Sequence, residues 1–307
     1  MATHRAVVVS VEGLRKRYGQ LEAVRDVGFE VRAGEIFGLL GPNGAGKTTT
    51  IEILEGFRRR DGGRASVLGF DPATRARAMR QRLGIVLQEL AVEPNLTVRE
   101  VVTRNAGYYP RPRPVEEVIS TVGLAEKADV RVQKLSGGQQ RRLDVALGIV
   151  GRPDLLILDE PTTGFDPSAR RGAWDMIRSL SEDGTTVILT THYMDEAEAL
   201  ADRVAVMAAG RIVAQGPPSS LGGRDVGEAR IRFRLPEGCD PAGLPVAARP
   251  AGDSLEVRTA EDVKTLNILT AWSLEQDVPL IGLRVERLTL EDVYLRLTAE
   301  AGEKVLP

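Results

Sequence analysis

The 307-residue chain has a single cysteine, Cys239, only 4% aromatic residues, and almost no net charge, with 41 basic side chains against 43 acidic ones. A lone thiol closes no internal disulfide and builds no cysteine metal site, so redox and zinc chemistry are not expected. No apolar run approaches the roughly 18 residues that a membrane-spanning helix needs, and the stretch Ala6–Val11 is too short for a signal peptide. A cytosolic chain is expected. Residues 225–307 hold 15 acids and 10 bases, and neither they nor the remainder are basic enough to suggest nucleic acid as a partner. What is present is an ordinary globular balance, 42% hydrophobic and 27% charged, with length for one large or two medium domains.

Over the first 215 or so residues, short runs rich in Val and Ile alternate with helical patterns, and Gly or Pro marks the joins. This is the rhythm of an α/β sheet. Strands are predicted at Val7–Val11, Val27–Val31, Glu35–Leu40, Ala65–Leu68, Gly84–Leu87, Leu155–Leu158, Thr186–Leu189 and Val204–Met207. The middle ones are apolar throughout, as strands covered on both faces are. Between Gln88 and Leu135 the strand signal lapses. Helical patterns at Val98–Tyr108 and Val115–Val122 flank the proline string Pro110–Pro114, so a helical insertion is expected over about 89–135. Turn residues cluster at Gly216–Pro218 and again at Gly222–Gly223, which places a domain boundary near Gly223 and divides the chain into 1–223 and 224–307. The second part reads as a small α/β domain: strands at Ala229–Leu235, Leu255–Arg258 and Leu280–Val285, helices at Glu261–Glu275 and Glu291–Leu297. Leu266, Leu269, Leu283 and Leu288 offer it a small core of its own.

The chemistry gathers in the first part. Gly41-Pro42-Asn43-Gly44-Ala45-Gly46-Lys47-Thr48-Thr49 lies between a predicted strand and a helix expected to run to about Gly56. Residues 41–48 satisfy G-x-x-x-x-G-K-[ST] in the context that pattern requires. Close glycines let backbone N–H groups turn toward phosphates, and the helix start adds its positive dipole end. Lys47 can reach the β- and γ-phosphates, and the Thr48 hydroxyl can ligate magnesium. The apolar run Leu155–Leu158 ends in Asp159-Glu160. Beside the loop strand in a parallel sheet, it would deliver Asp159 to the metal and Glu160 toward the γ-phosphate, where it can polarise an attacking water. His192 follows another strand through Thr190-Thr191, placed to sense or orient the γ-phosphate. Gln88 ends a further strand, within reach of the metal shell and the helical insertion. Taken alone, that histidine would read as structural and that glutamine as a surface residue. Leu135-Ser136-Gly137-Gly138-Gln139 opens one more helix with Ser136 as N-cap, a second anion-binding helix start. Two glycines directly after a cap weaken a helix, which favours a ligand role over plain capping.

In this order the motifs resemble the nucleotide-binding domain of ABC transporters: the phosphate loop at 41–48, Gln88, LSGGQ at 135–139, the acidic strand end Asp159-Glu160, the loop Gly164-Phe165-Asp166 and His192. The resemblance implies an α/β P-loop ATPase with a helical subdomain, plus a small C-terminal α/β domain, using ATP and Mg2+. Within it, residues 41–49 would cradle the phosphates, and Thr48, Gln88 and Asp159 would hold the metal. Tyr18, in Arg17-Tyr18-Gly19, matches the aromatic that stacks on adenine. Glu160 would be the general base, His192 the switch residue and Lys47 the phosphate clamp. Ser136, Gly137, Gly138 and Gln139 would meet the ATP held by a second subunit, and Asp166 would communicate across the dimer. Phe165 stands where many members have leucine and keeps the position apolar.

Met194-Asp195-Glu196-Ala197-Glu198 and the C-terminal Leu290-Glu291-Asp292-Val293-Tyr294 are similar to ATPase subunits of bacterial drug and antibiotic exporters of the daunorubicin-resistance type. That implies efflux of a drug-like or lipid-like compound through a separate multi-span membrane permease. The subunit would sit peripherally at the cytoplasmic face of the membrane, as a homodimer in preference to a heterodimer with a second ATPase chain. Non-transport ABC ATPases that act on ribosomes or DNA usually carry two ATPase domains or a long coiled coil. This chain has one Lys47 loop, and 88–135 is too short for a coiled coil. Importer ATPases tend to carry an all-β extra domain, against which the helix at 261–275 speaks.

Overall fold

The computed structural model describes residues 5–86, 92–223, 229–236, 238–286 and 289–300, with residue 223 and 297–300 described by backbone alone. Two compact units emerge, the first made of the chain up to Pro218 together with the chain from Leu297 on, and the second spanning Ser219–Arg296.

The first unit opens with two long strands, β1 (Val7–Tyr18) and β2 (Leu21–Arg32), followed by β3 (Ile36–Leu40), α1 (Lys47–Leu54) and β4 (Gly62–Val67). The short α2 (Arg77–Arg80) leads to β5 (Leu83–Val86), and α3 (Val98–Ala106), α4 (Val115–Thr121) and α5 (Gly137–Ile149) come next without an intervening strand. Then β6 (Leu155–Asp159), α6 (Pro167–Glu182), β7 (Thr186–Thr191), α7 (Met194–Leu200), β8 (Arg203–Ala208) and β9 (Arg211–Gly216) complete it.

Six strands form a sheet in the order β5-β6-β7-β3-β8-β9, parallel except for β9, which runs antiparallel to β8. Residues of β3, β6 and β7 are buried at every position, and alternate side chains feed two different cores, as a period of two requires. Leu155, Ile157 and Ile188 join α1 and the residues of β1, β2 and β4; Leu156, Leu158, Val187 and Leu189 join the helices α3 to α6. The second sheet, β2-β1-β4, is antiparallel. Its pairing runs through Val7–Tyr18 and Leu21–Arg32, well past the apolar cores at Val7–Val11 and Val27–Val31, because alternation such as Val9, Val11 and Leu14 inward against exposed Glu12 and Arg15 continues along the strands. The edge strand β9 has no all-apolar run and is recruited by pairing with β8.

The second unit holds β10 (Ala229–Arg234), β11 (Arg249–Ala251), β12 (Ser254–Thr259), α8 (Asp262–Glu275) and β13 (Ile281–Glu286), and α9 (Leu290–Glu300) begins within it. Its antiparallel sheet has the order β11-β12-β10-β13. Ile231, Phe233 and Val257 form its core with Leu269 of α8, and Leu266 and Leu283 pack against it; Leu288 lies outside the described residues. The chain divides at Pro218–Ser219, a few residues before Gly223. The carbonyl of Gly222 accepts from Arg296 Nη2 at 2.9 Å, and a Cβ on Gly222 would stand 2.5 Å from Val293, so this turn belongs to the second unit.

Candidate functional site

The fully buried β3 carries the chain to the loop at the carboxyl end of the sheet, the side where ligands of parallel α/β sheets bind. Gly46 caps α1 with φ 100°, and a Cβ there would lie 2.4 Å from the carbonyl oxygen of Ala23. Only glycine allows that close turn. The loop residues Pro42, Asn43, Gly44, Gly46, Lys47, Thr48 and Thr49 line an open cleft of about 410 Å³ whose other walls are Tyr18, Leu21, Ala23 and Glu160. Ala45 is buried beneath it. Lys47 is only 4% exposed, and its Nζ donates to the carbonyls of Gly41 (2.7 Å) and Pro42 (3.1 Å). Burial pushes its ammonium below the ordinary lysine value, an effect opposed by the carboxylates of Glu160 and Asp159.

Glu160 Oε1 stands 3.7 Å from Lys47 Nζ and 3.3 Å from His192 Nδ1, so three of the predicted site residues meet at one carboxylate. That histidine nitrogen is buried and has no hydrogen-bond partner among the described residues. Glu160 has φ 47°, a left-handed conformation that costs a non-glycine residue about 1–3 kcal/mol and must be held by its surroundings. Its N–H donates to both the carbonyl and the hydroxyl of Thr190, at 3.2 and 3.0 Å, and Thr163 Oγ1 donates to its Oε2 at 3.2 Å. Arg141 in α5 braces the same turn from behind: Nη2 donates to the carbonyls of Asp159 (2.7 Å) and Glu160 (3.2 Å), and Nε to that of Pro161 (3.2 Å). Asp159 ends β6 opposite Thr190 of β7 and accepts a hydrogen bond from the Thr190 hydroxyl.

The remaining predicted residues lie elsewhere. Ser136 caps α5 in a reciprocal capping box with Gln139, and a Cβ on Gly137 or Gly138 would meet nothing within 4 Å among the described residues. Asp166 caps α6, its Oδ1 accepting from the N–H groups of Ser168 and Ala169 at 2.9 Å each. Neither group lines the cleft. Gln88 lies outside the described residues. The sequence reading gave no site role to Thr190, Arg141 and Glu196, which it met only inside longer motifs, nor to Glu55. Glu55, 6% exposed at the end of α1, is pushed up to about 8 by burial, with Asp159 and Glu52 adding to the rise.

The donor chemistry fits a nucleoside triphosphate with a hard divalent cation. The loop offers backbone N–H groups and a buried ammonium, while Thr48 and Asp159 offer oxygen ligands of the kind magnesium takes. A P-loop at a parallel strand end, paired acids at the end of another strand of the same sheet, a histidine just past the strand between them and a helical insertion define an ATP-binding cassette.

The chain belongs to the ABC-transporter ATP-binding proteins. Residues 24–163 match the ABC transporter family, and residues 229–289 match the C-terminal domain of ABC transporter domain-containing protein-like chains. It is 41% identical to the Nod factor export ATP-binding protein I of Bradyrhizobium diazoefficiens, over 97% of this chain and 98% of that one. It is 39% identical to the protein of the same name from Ralstonia nicotianae, over 95% and 94%. Among solved structures, cbiO1 of Clostridium perfringens, part of the ABC transporter complex cbiONQ, superposes with a TM-score of 0.63 at 28% identity, covering 70% of this chain and 90% of that one. The chain is thus a nucleotide-binding, ATP-hydrolysing subunit of an ABC transporter, a class of subunit that works with membrane permeases. No helix among the described residues is long and apolar enough to cross a membrane.

Proposed function

We propose that the chain powers an ABC exporter, hydrolysing ATP at the cleft between Tyr18 and Glu160 while a separate multi-span permease carries a drug-like or lipid-like compound outward. The export direction is supported by the names of its relatives and by an extra domain that is mixed α/β. The permease would hold it at the cytoplasmic face of the membrane. In the site, the N–H groups of residues 41–49 and Lys47 take the phosphates, Tyr18 stacks on the adenine, and Thr48 and Asp159, with Gln88, ligate Mg2+. The metal supplies neutralisation of charge on the phosphate oxygens. Glu160 takes the proton of the attacking water, and His192 orients the γ-phosphate. Two copies would complete each other's sites, Ser136, Gly137, Gly138 and Gln139 of one facing the nucleotide of the other, with Asp166 relaying between them. Drug and antibiotic efflux of the daunorubicin-resistance type is the substrate class that the patterns Met194–Glu198 and Leu290–Tyr294 suggest.

The observation that carries the reading is the convergence of Lys47 and His192 on Glu160 at 3.7 and 3.3 Å beside the phosphate loop. Glu160→Gln keeps the shape and removes the base. It is expected to abolish steady-state ATP hydrolysis, retain ATP binding, and accumulate as a closed dimer with ATP and magnesium on size exclusion. Wild-type turnover in that variant would take Glu160 out of its role.

A further inference from the structure

We propose that Glu196 is a positioning residue for ATP hydrolysis, its buried carboxylate locking the turn that follows Glu160 to the helix that follows His192. This rests on the roles given above to those two residues. Glu196 sits in the first turn of α7, four residues after His192, and is 1% exposed. Its Oε1 accepts from Thr162 Oγ1 at 2.7 Å and from Trp174 Nε1 at 3.2 Å. Its donors come from the turn leaving Glu160 and from α6, whose N-cap is Asp166, so that the helix following His192 is tied to both.

The arrangement is an unusual way to hold a fold together. Burying a carboxylate is costly without a cation beside it. Arg170, paired with Asp195 at 3.1 Å, and Arg141 both act on it by charge, while the hydrogen bonds described to its carboxylate come from neutral hydroxyl and indole groups. Burial accordingly raises its proton affinity above that of an ordinary glutamate. What the carboxylate does achieve is convergence, because one acceptor oxygen with several lone pairs holds donors from two separate segments to the helix that carries it. Such a joint has a task here, since Glu160 rests in a left-handed conformation at φ 47° that its turn would leave if released. Thr162 is two residues along that turn. With Thr162 held, the Glu160 carboxylate and the His192 ring keep their 3.3 Å spacing.

The test pairs a near-isosteric change on one side with changes on the other. Thr162→Val removes the hydroxyl donor while keeping the side-chain shape. It is expected to lower kcat by roughly 10-fold to 100-fold, the scale on which a misplaced reactive group slows an enzyme, with ATP affinity within about twofold of wild type. Glu196→Gln retains an acceptor oxygen and should recover most of the rate, whereas Glu196→Leu should match Thr162→Val, and the double variant Thr162→Val/Glu196→Leu should be no slower than the worse single one. Wild-type kcat in Thr162→Val overturns the proposal. So does a loss confined to KM, or one that is additive in the double variant. Should Glu196→Leu fail to fold, Thr162→Val and Glu196→Gln decide alone. Glu160→Gln assayed alongside separates the two possible failures: turnover there sinks the base assignment, while a dead Glu160→Gln beside a fully active Thr162→Val sinks only the role of Glu196.

Discussion

The Tyr18 ring lies at the mouth of the cleft, 38% exposed, with Lys16 Nζ 5.5 Å and the Arg58 guanidinium 5.4 Å from its centroid. Those cations hold the ring in place while leaving it accessible to a flat base. Tyr18→Ala should therefore weaken ATP binding by ~1–3 kcal/mol and leave saturated turnover nearly unchanged, which calorimetric titration alongside a rate assay would show. Glu55 behaves differently, since it never touches the cleft wall. In the unfolded chain it releases its proton near the ordinary 4.5, but the folded protein retains it to about 8. The folded state binds more protons across that window, so this group's contribution to stability is complete below about pH 4.5 and is lost as pH rises toward about 8. In Glu55→Gln no proton can be lost. The Tm advantage of that variant should grow between about pH 5 and pH 8 in the absence of nucleotide and magnesium, and a constant offset would show that Glu55 is not buried as a neutral acid. Lys47, Asp159 and Glu160 were legible because each belongs to a local pattern. The burial of Glu55, and that of Glu196 within its Met194–Glu198 pattern, was not, since an acid near the end or start of a helix looks alike in sequence whether water or protein surrounds it.

Among the elements, α5 carries glycines of two kinds. At Gly148 the helix meets β5 so closely that a Cβ on Gly84 would stand 2.2 Å from the Gly148 carbonyl oxygen. Those glycines let helix and strand pack backbone to backbone. Gly137 and Gly138, at the start of the same helix, have open space around them. By propensity alone, Gly138→Ala should stabilise the subunit slightly, by up to about 1 kcal/mol. If that helix start serves the nucleotide of a second subunit, the same change should slow ATP hydrolysis. A higher Tm with a lower ATPase rate is the expected pair of results, and a higher Tm at full rate would return these residues to simple capping. The helices 98–106 and 115–121 and the strands of the parallel sheet followed from periodicity. The β9 pairing did not, because its residues are half-buried and no local rule distinguishes an edge strand from a turn-rich connection.

For the whole molecule, the phosphate loop, Glu160, His192 and the helix starts at Ser136 and Asp166 all fall in the first unit, within the part that runs to Pro218, while the second unit has its own core around Phe233 and Leu269. We propose that it supports the dimer or regulates the cycle and takes no part in the phosphate chemistry. A truncation after Pro218 should bind ATP with near-wild-type affinity, but its hydrolysis should depend more steeply on protein concentration, because two copies must meet to complete a site. ATPase rate against enzyme concentration for both forms decides it: superimposable curves would exclude dimer support, and lost ATP binding would show that the cut damages the catalytic unit. The sequence by itself determined the phosphate loop, the paired acids, the capped glycine helix and the α/β rhythm, since each is set by residues adjacent in the chain, where spacing and backbone conformation act directly. Only the tertiary structure decided that β6 lies beside β7 so that Thr190 meets Asp159, that Arg141 braces the turn of Glu160 from another helix, and that Glu196 is buried at the junction of three segments. Those facts depend on contacts between residues 18 to 34 positions apart or more, and burial, unlike spacing, belongs to the assembled chain.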